Sequence, residues 1–167
     1  MKRYLLMVAG FCLLAVMGCG QGGGALVTAS GSVQVEETTA SFYASGERVF
    51  LVVWHDMPRN LGSGGGHGFT GSSSSAGKTE IDGKYETTDG RGFQYTCETT
   101  DGLTGTVVID GAEYDLAAGC IFLLAYRSDG ISVTQLDRDL TMPGTPQEFF
   151  KSLADNDPQI GAFVRGG

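Results

Sequence analysis

The amino-acid sequence predicts an all-β domain: an antiparallel meander closed into a sandwich or barrel of about eight strands, with one or two short helices at the C-terminus. Three observations carry this expectation. Asp-Gly occurs at 82–83, 89–90, 101–102, 110–111 and 129–130, and it is a favoured hairpin turn because both central residues of a type I′ turn take positive φ. Phe93-Gln94-Tyr95-Thr96-Cys97-Glu98 alternates apolar with polar residues, the period of a half-buried strand. The runs Val49–Trp54 and Ile121–Tyr126 are apolar on both sides, as central strands covered on two faces are.

Taken along the chain, these signals place strands near 25–36, 41–45, 47–54, 92–99, 104–109, 112–116, 119–127 and 131–137, with a fainter pattern at 84–88. Residues 55–77 break the series, because Gly, Ser and Asn replace apolar periodicity. This segment is expected to be a long Gly/Ser-rich loop, the least ordered part of the domain and the place where a partner touches it. After Pro143 the pattern changes again. Thr145-Pro146-Gln147-Glu148 has the form of a capping box with proline at the first helical position, so a helix is expected over 146–154. Asp157-Pro158 starts a second helical turn or two carrying Ile160 and Phe163.

The first residues have a different character. Lys2 and Arg3 precede an apolar run, Tyr4 to Met17, that is long enough for a signal segment and too short to span a bilayer. It ends in Val16-Met17-Gly18-Cys19, which resembles the lipobox of bacterial lipoproteins, with Met17 departing from the Ala or Ser usual two positions before the cysteine. The resemblance covers residues 1–19. It implies that 1–18 are removed, that Cys19 is acylated as the new N-terminus, and that the chain is held on a membrane. Gly20 in place of Asp is similar to lipoproteins sent to the outer membrane. Residues 19–24 then form the lipidated cysteine and a Gly-rich tether, and 25–167 a single β-rich domain. The stretch from Thr106 to Leu140 looks similar only to small uncharacterised exported bacterial domains, which implies no activity.

Cys12 falls inside the removed segment, so two cysteines remain, Cys97 and Cys120, in a compartment that permits disulfides. Both lie on apolar strands and are expected to pair, closing a loop worth about 3 kcal/mol. His55, Asp56 and His67 supply the residue types of a catalytic zinc site or, with Ser72 to Ser75, of a hydrolase, but their spacing matches no such motif. They are read instead as loop residues. Trp54 is expected to be buried at a strand end, whereas Phe69, alone among glycines, is read with His55 and His67 as a candidate partner contact.

Gly71 to Thr79 imitates a phosphate-binding loop with one residue too many and no helix after it, so no nucleotide is expected. Asp137 with Asp139, and Asp155 with Asp157, lack the Asp-x-Asp-x-Asp-Gly pattern of a calcium loop. A formal charge of −8 and a pI near 4.6 exclude an electrostatic nucleic-acid binder. The expectation is a noncatalytic, lipid-anchored cell-envelope module without a cofactor, meeting an envelope protein or glycan. The alternative is a small metal-dependent or hydrolytic enzyme using His55, Asp56 and His67.

Overall fold

The computed structural model describes residues 28–56, 66–75, 78–86 and 92–166. The expected signal segment, Cys19, the tether, the middle of the 55–77 segment and the Asp89-Gly90 turn lie outside these residues. Ten strands form two five-stranded sheets. Sheet A is ordered β1 (Thr28–Val35), β2 (Thr38–Ser45), β3 (Arg48–Asp56), β9 (Cys120–Arg127) and β10 (Gly130–Asp137). Sheet B runs β4 (Gly66–Ser75), β5 (Lys78–Glu86), β6 (Gly92–Thr99), β7 (Thr104–Ile109) and β8 (Ala112–Ala117). Two helices follow, α1 (Pro146–Asn156) and α2 (Pro158–Val164).

The architecture is a sandwich with the helices laid on its outside, three layers with two cores. Between the helices and sheet A lie Ala40, Phe42, Trp54, Ile121, Leu123, Phe149, Phe150 and Ile160. Between the sheets lie Leu51, Val53, Tyr85, Phe93, Tyr95, Val107, Phe122 and Leu124. Sheet A is therefore apolar on both faces, which is why β3 and β9 read as unbroken apolar runs. Along β9, Ile121 and Leu123 face the helices while Cys120, Phe122 and Leu124 face sheet B.

Two features depart from a simple meander. β3 and β9 pair in parallel, Leu51 with Cys120 through His55 with Leu124, so the whole of sheet B forms the crossover between them. The second departure is a bulge at the start of β3. Tyr43 pairs with Leu51 and Ala44 with Val49, leaving Phe50 as the extra residue. Phe50 and Leu51 thus both enter the inter-sheet core, while Val49 turns to the helices.

Turn chemistry explains most of the connections. Asp110 and Gly111 take φ of 49° and 81°, the left-handed pair that a type I′ hairpin between β7 and β8 requires. Asp82-Gly83, expected to be a turn, lies instead inside β5. The glycine is there because the Tyr95 ring of β6 crosses it, leaving no room for a side chain. The capping box at α1 is complete: the Glu148 amide donates to Thr145 Oγ1 at 3.3 Å, and the Thr145 amide donates to Glu148 Oε2 at 3.0 Å. Phe150 brings α1 onto sheet A, its ring 5.5 Å from Phe42 and 5.4 Å from Trp54 between centroids. The Asp157 carboxylate caps α2 through the amides of Gln159 and Ile160 and accepts from Arg138 Nε at 2.6 Å, which ties the helices to the chain leaving β10.

The expected loop over 55–77 is corrected in two places. Residues 55 and 56 complete β3, and Gly66–Ser75 form β4, paired antiparallel with β5 from Gly66 opposite Glu86 to Ser75 opposite Lys78. A Gly/Ser strand pairs through its backbone, and no apolar periodicity announces it.

Candidate functional site

His55 and Asp56 sit at the end of β3, where the alternation of the strand turns His55 toward sheet B. His55 is fully buried, with its ring 4.3 Å from Tyr85 and 5.4 Å from Phe93 between centroids. It is a core residue, which corrects its expected place as a solvent-facing loop contact. Asp56 accepts a hydrogen bond from the Tyr126 amide at 3.1 Å, so its carboxylate links the ends of β3 and β9. His67 and Phe69 lie on β4, at register positions opposite Tyr85 and Gly83, and β4 is described by its backbone alone. Among the described residues, no three His, Cys, Asp or Glu side chains are grouped so as to hold a metal ion.

The other carboxylates singled out in the sequence also have structural work. Asp137 accepts from the Cys120 thiol at 3.2 Å, and Asp139 pairs with Arg48 at 2.8 Å. Asp155 pairs with Lys151 at 2.5 Å and Arg165 at 3.5 Å. For Asp157, burial pushes the carboxyl up, but the Arg138 hydrogen bond and the two cap amides outweigh it and hold the group below the ordinary carboxylate range.

Cys97 and Cys120 are both buried in the inter-sheet core and both free, which corrects the expected disulfide. Cys97 projects from sheet B, whereas Cys120 on sheet A is engaged where the two sheets meet. Its sulfur accepts from the Ala117 amide at 3.4 Å and from Gln135 Nε2 at 3.5 Å, besides donating to Asp137. Burial first, then the neighbouring Glu98 and Cys120, pushes the Cys97 thiol up to about 12. Burial also raises Cys120. These are inert, protonated thiols behaving as small apolar side chains.

The outer face of sheet B is turned to solvent. Its inner face is closed by Ile81, Tyr85, Phe93, Tyr95, Cys97, Val107 and Ile109, while nothing among the described residues is layered on the outer one. Strand alternation puts Glu80, Asp82, Lys84 and Glu86 of β5 outward, with Gln94, Thr96 and Glu98 of β6, Thr106 and Val108 of β7, and Glu113 and Asp115 of β8. Lys78 pairs with Glu98 and Lys84 with Glu86, so the remaining carboxylates leave the face acidic. A shallow concavity of about 530 Å³ opens there, lined by Lys84, Glu86, Gln94, Thr96, Val108 and Asp110 among others. Val108, one of its lining residues, is 40% exposed.

This surface was missed in the sequence because Gly83 takes an inward position of β5 and interrupts the alternation that Ile81 and Tyr85 would otherwise mark. Comparison of the chain with protein families, curated proteins and solved structures gives no match.

Proposed function

We propose that the chain is a noncatalytic, lipid-anchored module of the bacterial cell envelope, held on a membrane through Cys19, in the outer membrane where the organism has one. Its role on this reading is contact with another envelope component, a protein or a glycan, through the outer face of sheet B. The observation that carries the noncatalytic half is the use made of His55 and Asp56. One is enclosed between Tyr85 and Phe93, and the other is spent on the Tyr126 amide. A catalytic base needs access to a substrate proton, and a fully buried imidazole has none. The anchoring half is supported by the basic, apolar and Val16-Met17-Gly18-Cys19 sequence in one continuous stretch.

Mass spectrometry of the chain extracted from membranes tests the anchor. The expected product begins at Cys19 and carries acyl chains, and Cys19→Ala abolishes both the cleavage and the acylation. An unmodified soluble product starting elsewhere overturns it. A hydrolytic or metal-dependent activity in the purified wild-type chain that His55→Phe removes without loss of thermal stability would move the reading to an enzyme.

A further inference from the structure

We infer that the sandwich has a fixed polarity on the membrane: the end carrying the β2–β3 and β6–β7 turns meets the lipid surface, with Leu103 as its apolar contact. This rests on the lipid-anchor reading above. The topology defines the two ends. Thr28, where β1 starts, pairs with Ser45, where β2 ends. Gly102 is so close to Ser45 that an added side-chain carbon would stand 2.4 Å from its Oγ, so the turn between β6 and β7 shares this end. The opposite end carries the β1–β2 turn with Glu36 and Glu37, the β7–β8 turn at Asp110, and the β9–β10 turn at Asp129.

The length of chain between Cys19 and Thr28 favours one of the two ends. Fully drawn out it reaches about 30 Å. β1, with eight residues, is itself roughly 26 Å long. Standing the domain on its other end would place Thr28 a full strand length above the bilayer and require the connecting chain to run back at nearly its maximum extension. With Thr28 toward the membrane, no extension is required. One exposed apolar residue lies at the same end. The near end carries Leu103, 41% exposed, and the Arg48–Asp139 pair. Its Asp101 carboxylate is turned back onto the amides of Leu103 and Thr104 at 2.8 and 2.7 Å. Exposed carboxylates stand at both ends, Glu47, Asp101 and Asp139 at the near one and Glu36, Glu37, Asp110 and Asp129 at the far one, so the choice rests on the length of the connecting chain and on Leu103. The concavity on sheet B opens at the far end, beside Glu86, Gly92 and Asp110, and so is held away from the bilayer.

Fluorescent labelling of the full, membrane-extracted chain tests the polarity. Single cysteines at Leu103→Cys, Glu37→Cys and Ser128→Cys are labelled under native conditions, where Cys97 and Cys120 are buried. Each protein is reconstituted into phosphatidylcholine–phosphatidylglycerol vesicles containing a headgroup-quencher lipid, and thermal melts confirm the fold. The expected result is several-fold stronger quenching at position 103 than at 37 or 128. Equal quenching at all three, or stronger quenching at 37 or 128, overturns the polarity while leaving the anchor intact. A chain that fails to float with the vesicles overturns the anchor and the polarity together.

Discussion

Gly83→Ala is the most direct perturbation of the inter-sheet core. A methyl group added at residue 83 would stand 2.0 Å from Cζ and 2.1 Å from Cε1 of Tyr95, against an ordinary contact of 3.4 Å or more. The ring would have to retreat by more than an ångström. It has little room to do so, since Tyr95 is 2% exposed and lies in the core with Ile81, Phe93, Cys97, Val107 and Ile109. Overpacking of this kind costs about 1–3 kcal/mol, and the rigid ring and dense surroundings place this site at the upper end. Replacing glycine in a strand returns about 0.5–1 kcal/mol of backbone entropy.

The net expectation is a loss of about 2 kcal/mol, read as a drop in Tm of roughly 6 °C for a domain of this size. Urea denaturation and thermal melts followed by circular dichroism measure it, and Tyr95→Leu provides the control. In that background the methyl group no longer meets a ring, so the same substitution should become neutral or slightly stabilising. A stability loss of equal size in both backgrounds would refute the steric argument and place the cost in the backbone of β5.

Four further perturbations test other parts of the structure. Gly119→Ala should be more damaging than Gly111→Ala in parallel melts: both glycines have positive φ, but at 119 the new carbon would also stand 1.6 Å from the Arg138 carbonyl oxygen, while at 111 it meets nothing within 4 Å. Thr145→Ala removes the cap of α1 and should cost about 1 kcal/mol in urea denaturation, with no change at the sheet. Native protein treated with iodoacetamide at pH 8 should leave Cys97 and Cys120 unmodified, and unfolding without reductant should expose both to alkylation; a mass two hydrogens lower with no alkylation would instead show a disulfide. The Asp101 carboxyl is held down to about 2 by the amides of Thr104 and Leu103 and the hydroxyls of Thr104 and Thr99, so its contribution is complete above its ordinary value of 3.8 and is lost as the pH falls toward 2. Asp101→Asn should therefore flatten the acid limb of the stability curve in that window, and an unchanged limb would count against those hydrogen bonds.

How far the fold was legible in the sequence depends on which signal each element uses. β3, β6 and β9 announce themselves because burial forces their side chains into runs or strict alternation. α1 does so through Thr145 and Glu148, whose reciprocal hydrogen bonds need only local chain. β4 is invisible for the opposite reason: its Gly and Ser residues contribute backbone pairing, which any residue but proline supplies. Asp82-Gly83 shows that one dipeptide can answer two different demands. At 110–111 the glycine is there for its positive φ, and at 82–83 for the close approach of a ring on the next strand, a fact that exists only after β5 and β6 have paired. The parallel pairing of β3 with β9 is likewise nonlocal. Each strand is buried on both faces, and either direction of pairing satisfies that pattern.

His55 carries the same lesson into the functional reading. Beside Asp56 and before a run of glycines, it looked like a residue at the mouth of a loop. Counting inward from the bulge at Phe50 reverses this. The extra residue sends Leu51, Val53 and His55 to the sheet B side and Val52 and Trp54 to the helix side. His55 thus reaches Tyr85 and Phe93, while Trp54 Nε1 donates to Thr38 Oγ1. Shifting the strand by one residue would exchange these environments, driving the imidazole against Phe150 and the indole between the sheets. The bulge therefore commits the chain's histidine on β3 to packing, and among the described residues the outer face of sheet B is left with carboxylates, the Gln94 amide and the exposed Val108 turned to solvent.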